Sequence, residues 1–242
     1  IEIARNAPPS VKRVAQELGG KSPRIILDDT AFAEAARRAV TMMMVNSGQT
    51  CSAASRMLVP NARMDEVIAI AREAADAISV GDPNGDFKMG PVSSRTQFEK
   101  IQTLIQTGID EGATLVTGGT GRPTGLDRGH YVKPTVFAHV TSDMTIAREE
   151  IFGPVLAIQG YRDIEDAIRL ANDTEYGLAA YVNGADVEQA RAIARKLRAG
   201  QVVVNDTFDP RAPFGGFKKS GNGREWGEYG FNEYLEIKSV IG

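Results

Sequence analysis

Cys51 is the only cysteine among 242 residues. It closes Gly48-Gln49-Thr50-Cys51 and is followed by the small residues Ser52, Ala53 and Ala54. A thiol attacks only as its thiolate, whose formation needs a helix N-terminus, a cation or a polar cradle. Gly48 and the small residues leave space for a substrate and for backbone N–H groups to face developing charge. Taken alone, the position reads more readily as a buried structural cysteine, the commoner fate of a free thiol. A cysteine protease would need a histidine partner, and neither His130 nor His139 has a signature around it. Both lie far from any cysteine cluster, so no zinc-type metal site is expected.

Three further stretches carry candidate chemistry. In Glu17-Leu18-Gly19-Gly20-Lys21-Ser22-Pro23, an acid before paired glycines suits a general base on a flexible turn, its pKa raised by burial. It equally suits a solvated glutamate before a turn. In Arg148-Glu149-Glu150-Ile151-Phe152-Gly153-Pro154, a carboxylate beside an aromatic suits the hydroxyls of a ribose, or else a solvated acidic pair at a strand entry. Pro213-Phe214-Gly215-Gly216-Phe217-Lys218-Lys219-Ser220-Gly221 suggests backbone that another group approaches closely. No G-x-G-x-x-G fingerprint occurs anywhere in the chain, so glycines alone imply no dinucleotide.

The elements that must position these residues follow from hydrophobic periodicity. Runs at 24–27, 55–60, 114–117, 155–158, 177–182 and 201–205 read as strands, the last as a fully buried one of the parallel-sheet kind. Helical spacing marks 32–47, ended by Gly48, then 64–78, 98–109, 164–170 and 187–197. Residues 131–140 read as extended, 206–230 as a long loop, and 234–241 as a final strand. Alternating strands and helices predict an α/β fold with a largely parallel sheet, with sites at loops beyond the carboxyl ends of strands. Residues 1–20 open on Ile1 with no helix cap or strand alternation. They suggest a piece of a longer chain cut at its N-terminus.

Composition narrows the partners. A net charge of -3 provides no basic field for nucleic acid or an acidic membrane surface. No run of about 18 apolar residues occurs, so no membrane span is expected. A single cysteine makes no internal disulfide, which points to a reducing, cytoplasmic location.

Taken together and in this order, Glu-Leu-Gly-Gly-Lys-Ser-Pro at 17–23, Gly-Gln-Thr-Cys at 48–51, Glu-Glu-Ile-Phe-Gly-Pro-Val at 149–155 and Pro-Phe-Gly-Gly-Phe-Lys-Lys-Ser-Gly at 213–221 resemble the NAD(P)-dependent aldehyde dehydrogenase superfamily. The resemblance runs from about Val11 to the C-terminus. It implies a three-layer α/β/α catalytic domain at 21–225, preceded at 1–20 by the tail of a coenzyme domain and followed at 226–242 by an oligomerisation strand. It implies NAD or NADP as cofactor of a full-length parent, a small-molecule aldehyde as substrate, and a homo-dimer or tetramer.

Residue roles follow from the same resemblance. Cys51 is implied as the nucleophile that forms a thiohemiacetal and then a thioester, and its N–H as half of an oxyanion hole. Glu17 is implied as the base that activates the hydrolytic water, and Glu225 as an acid relaying protons to it. Glu150 and Phe152 are implied as contacts to the nicotinamide ribose and ring, with Leu18 and Gly19 beside them. Phe208 and Phe214 are implied as walls of a substrate tunnel, and Arg211 as a partner for a substrate carboxylate. The groups that hold the cofactor's phosphates fall outside these residues, so weak or absent NAD binding by this stretch alone is expected. Two other classes compete: a non-catalytic scaffold keeping the fold, and a cofactor-independent thiol esterase or acyltransferase. Glu17 disfavours a CoA-acylating member.

Overall fold

The structure is a computed structural model that describes residues 2–242. In chain order its elements are α1 (Glu2–Asn6), β1 (Gln16–Glu17), β2 (Pro23–Ile26), α2 (Phe32–Met44), β3 (Arg56–Pro60), α3 (Met64–Asp76), α4 (Arg95–Asp110), β4 (Thr114–Thr117) and β5 (Thr135–Ala138). They continue with α5 (Thr145–Arg148), β6 (Val155–Tyr161), α6 (Ile164–Asn172), β7 (Ala179–Asn183), α7 (Val187–Ala194), β8 (Gln201–Val204), β9 (Gly221–Asn222) and α8 (Gly227–Asn232).

Seven strands form one sheet in the order β4-β5-β6-β3-β2-β7-β8. All neighbours run parallel except β4 against β5. Side chains alternate between the two faces of a strand, and the buried residues divide accordingly. Ile26, Met57, Val59, Leu156 and Ile158 meet Phe32, Ala36, Val40 and Met43 of α2 and Val67, Ala71 and Ala74 of α3. On the opposite face, Ile25, Leu58, Ala180 and Val182 meet α6 and α7, while Phe137, Val155 and Ala157 meet α4 and α5. The result is the expected three-layer α/β/α arrangement. Each large aliphatic side chain buried here contributes roughly 2 kcal/mol.

Several local expectations change. β8 is half-buried, not fully buried, because it is the last strand of the sheet and lacks a neighbour on one side. Residues 234–241 form no strand; no sheet edge of this chain pairs with them, and Ile237, Val240 and Ile241 stand in solvent. The stretch 206–230, expected as a loop, contains β9 and the start of α8, and residues 1–20 contain α1 and β1. Extended ladder within 131–140 is confined to Thr135–Ala138. α2 stops at Met44, four residues before Gly48. The chain then turns through Asn46, Ser47 and Gly48, with φ of 52, 55 and 68°. No described helix is long and apolar enough to cross a membrane.

A buried guanidinium fastens the layers together near the site. Arg56, 2% exposed, donates to the carbonyls of Lys21 at 3.1 Å, Leu170 at 2.9 Å and Ala171 at 2.9 Å. The last two lie in the final turn of α6, where carbonyls lack their full complement of intrahelical donors. Burial lowers the Arg56 pKa to about 10, so it stays charged at neutral pH. Replacing Arg56→Leu should cost about 3 kcal/mol or more, since three buried acceptors lose a charged donor. A loss below about 1 kcal/mol in denaturant titration would show that these bonds carry little.

Candidate functional site

The three central strands β6, β3 and β2 lie side by side and point the same way, so the segments entering them are neighbours. Those segments are 17–22, 48–55 and 149–154, which hold three of the four stretches singled out above. The site therefore forms at the amino ends of the strands, not beyond their carboxyl ends. The dinucleotide-fold expectation fails because each motif precedes its strand rather than following it.

Contact among the three segments is closest at Gly19 and Gly20. The N–H of Gly20 donates to Glu150 Oε1 at 2.9 Å. A β-carbon on Gly20 would collide with the carbonyl oxygen of Cys51, and one on Gly19 would lie 2.8 Å from the carboxyl carbon of Glu150. A β-carbon on Gly48 would run into the carbonyl of Gly153. Gly20 and Gly48 are thus required by the approach of backbone from other segments, while a side chain at Gly19 would displace the Glu150 carboxylate.

Cys51 is half-buried. Its loop is held by Ser47 Oγ donating to Gly90 O at 2.9 Å and by Ser93 N–H donating to Gln49 Oε1 at 2.8 Å. Burial pushes the thiol up. The N–H groups of Ser52 and of Cys51 itself pull it down, and the carboxylates of Glu17 and Glu150 push it up again. The balance lies on the raised side, so the resting group carries its proton.

Glu17 is not on a flexible turn. It sits in β1, paired antiparallel with β9 through Glu17↔Gly221, and Leu18 N–H donates to Ser220 O at 3.1 Å. Both of its carboxyl oxygens are buried and without a hydrogen-bond partner. Burial raises its pKa, the nearby charge of Glu225 raises it further, and Arg224 opposes. Glu225 is positioned by its backbone, which exchanges hydrogen bonds with Phe214 at 2.8 and 2.6 Å. An unpaired carboxyl with a raised pKa is suited to exchanging a proton near neutrality.

Phe152 adopts φ of 55°, which strains a bulky residue by of order 1 kcal/mol. α4 holds it there. Gln97 Nε2 donates to the carbonyls of Ile151 at 2.9 Å and Phe152 at 2.8 Å, and Lys100 Nζ donates to Glu150 O at 2.8 Å.

Two cavities open beside these residues. One, of about 570 Å³, is lined by Leu18, Gly19, Glu150, Tyr176, Lys218 and Asn222 among others. It gathers three of the four residues expected at a cofactor; Phe152 is not on its wall. The other, of about 360 Å³, is lined by Thr50 and Ser52 on either side of Cys51 and by Met42, Val45, Phe208, Phe214 and Trp226. Arg211 is not part of that lining. Its guanidinium is tied to Asp209 at 3.0 Å through both Nε and Nη2, with the side chain 88% exposed. Trp226 escaped the sequence reading, although it is the only tryptophan and follows Glu225 directly. Its ring lies 5.1 Å from that of Phe214 and 6.2 Å from that of Phe208. Among the described residues, no cluster of three His, Cys, Asp or Glu could hold a metal ion.

Comparison with known proteins bears on the chain as a whole. The chain matches the Aldehyde dehydrogenase family profile over residues 1–240. It is 52% identical to a 3-succinoylsemialdehyde-pyridine dehydrogenase of a Pseudomonas species, covering 99% of this chain and 51% of that protein. Its structure superposes with a TM-score of 0.97 on a cysteine-to-alanine mutant of aldehyde dehydrogenase C from Pseudomonas syringae, solved with NAD+ and octanal. That match has 52% identity and covers 99% of this chain and 50% of the other. A Mycobacterium tuberculosis aldehyde dehydrogenase solved with NAD+ superposes with a TM-score of 0.92 at 43% identity, over 99% of this chain and 51% of that one. The chain thus spans about half the length of the relatives it matches. With the motifs, the layered sheet and the profile match in agreement, this chain belongs to the aldehyde dehydrogenase family.

Proposed function

We propose that this chain supplies the catalytic half of an NAD(P)-dependent oxidation of an aldehyde to a carboxylic acid, with Cys51 as nucleophile. The observation that carries this reading is the convergence of Cys51, Glu17 and Glu150 around the paired glycines. Cys51 Sγ adds to the aldehyde carbonyl to give a thiohemiacetal, with the N–H of Cys51 facing the oxygen that gains charge. A nicotinamide dinucleotide, when bound, supplies the hydride acceptor that turns this adduct into a thioester. Leu18, Gly19 and Glu150 would hold it, since they line one 570 Å³ cavity; NAD+ is present in the Pseudomonas syringae and Mycobacterium tuberculosis structures. Phe152, on the strained loop after Glu150, is assigned to the same group. Glu17 takes a proton from the water that cleaves the thioester, and Glu225 passes protons onward.

The substrate is an aldehyde with an apolar body. Met42, Val45, Phe208, Phe214 and Trp226 offer carbon surface beside Cys51, and the Pseudomonas syringae relative was solved with octanal. A carboxylate on the substrate finds no free partner in Arg211, which Asp209 already neutralises. The exposed apolar residues Ile237, Val240 and Ile241 suit a strand donated to a second copy, hence a homo-dimer or tetramer. A nucleophilic thiol that must stay reduced fits the cytoplasm.

Five outcomes are expected in the full-length polypeptide. Cys51→Ser should abolish aldehyde-dependent NAD(P)H formation. Glu17→Gln should reduce turnover by about 100-fold or more while leaving Cys51 open to alkylation. Retained turnover in the serine variant would remove the reading. Since burial and Glu225 both raise the Glu17 pKa, the acid limb of the kcat profile should lie above the ordinary carboxylate range. Glu225→Gln should move that limb to lower pH; an unmoved limb would separate Glu225 from Glu17. Finally, Trp226→Ala should raise KM for a long-chain aldehyde by about 10-fold, as expected for lost aromatic burial, and leave acetaldehyde nearly unaffected. Equal changes for both would exclude Trp226 from the substrate wall.

A further inference from the structure

Tyr181 stands in β7 directly opposite Arg24 of β2 and Val203 of β8. Parallel register puts all three side chains on the face that α2 covers. The Tyr181 hydroxyl reaches past the sheet and donates to the carbonyl oxygen of Ser52 at 2.9 Å. Arg24 lies over the Tyr181 ring, with its guanidinium carbon 4.5 Å from the centroid. Arg24 is itself 3% exposed and fixed by Asn183 Oδ1 at 2.8 Å and Asp206 at 2.8 Å. Asp206 also receives Arg38 at 3.1 Å. Arg24 and Tyr181 border the cavity of about 360 Å³ beside Cys51; no step of the proposed reaction uses them, yet they lead to the residue after the nucleophile.

We infer that Tyr181 is a positioning residue for Cys51, tethering the carbonyl of Ser52 and so fixing the backbone that carries the nucleophile. Ser52 is then tied to the sheet. Its carbonyl is bound to a rigid strand, and its N–H is one of the two donors that favour the thiolate against burial, Glu17 and Glu150. A mobile Ser52 would lose that donor part of the time. Tyrosine suits the task because burial keeps its phenol protonated and therefore donating. The guanidinium over its ring adds a cation–π contact that holds the ring in place. Asp206 completes the chain by anchoring Arg24. The inference rests on Cys51 being the nucleophile, but it concerns the thiol's own acidity and needs neither aldehyde nor cofactor to be examined.

The experiment is the pH dependence of Cys51 alkylation by iodoacetamide in the full-length protein, for wild type and Tyr181→Phe, beside the thermal midpoint. Phenylalanine keeps the ring, the stack and the packing and removes only the donor. The alkylation midpoint should rise by about half to one pH unit, lowering the rate at pH 7 by about 3- to 10-fold, with the thermal midpoint nearly unchanged. In turnover, kcat should fall while KM for the aldehyde stays within about twofold, the pattern of a group acting on the reacting thiol. An alkylation profile identical to wild type overturns the inference, whatever happens to turnover. A fall in thermal midpoint with an unmoved profile also overturns it, since that marks a purely structural tether. If the Phe variant does not fold, Arg24→Met carries the test, with a smaller shift in the same direction expected and no shift overturning it. Loss of the dehydrogenase reading would appear separately, as turnover persisting in Cys51→Ser.

Discussion

Steric exclusion at Gly20 is the constraint on which the site depends. The Cys51 carbonyl occupies the space a side chain would fill, and the Glu150 carboxylate takes the Gly20 N–H. Three segments remote in sequence, from residues near 20, 51 and 150, are thereby held in one place by direct backbone approach. Any larger residue would push the thiol's loop away from the segment that carries Glu17. The sheet supplies the rest of the precision, because β2, β3 and β6 enter side by side and fix where each segment begins.

Electrostatics around the thiol are arranged for use on demand. Cys51 sits among groups of opposing effect, with burial and two carboxylates against two backbone N–H donors. Glu17 meets burial and a like charge, with only Arg224 opposing. Both groups are kept protonated further up the pH scale than in water. A thiol of this kind does not react indiscriminately at rest, and the carboxylate of Glu17, its pKa raised, is a stronger base than a solvated one and better suited to take a proton from water. The ladder between β1 and β9 matters here, since it holds Glu17 by backbone bonds and leaves its carboxyl oxygens unpaired.

Layer architecture and most element boundaries were legible because apolar residues recur with helical spacing in α2, α3 and α4 and run continuously in β2, β3 and β6. The identity of the motifs was legible too. What hid was relational. Which end of the sheet bears the site depends on whether a motif precedes or follows its strand, and that order was visible in 17–26, 48–60 and 149–161 but was overridden by the dinucleotide-fold rule. β8 reads as buried from Val202-Val203-Val204 alone, since nothing in a sequence marks the last strand of a sheet. Residues 234–241 alternate as a strand does, yet a strand needs an edge to join. Tyr181 and Arg24 are 157 positions apart and become partners only through parallel register. Arg211 looked free because the three-residue turn that closes it onto Asp209 has no periodic signature.

Placing the site at the amino ends of β2, β3 and β6 has a consequence for how such a chain can change over time. The connections that leave those strands at the far rim, residues 27–31, 61–63 and 162–163, carry none of Cys51, Glu17 or Glu150. Their length and composition can drift, lengthen or acquire new surface without displacing the nucleophile, its base or the carboxylate beside them. Substitution in the entering segments has no such freedom, because there a single added carbon meets a neighbouring backbone.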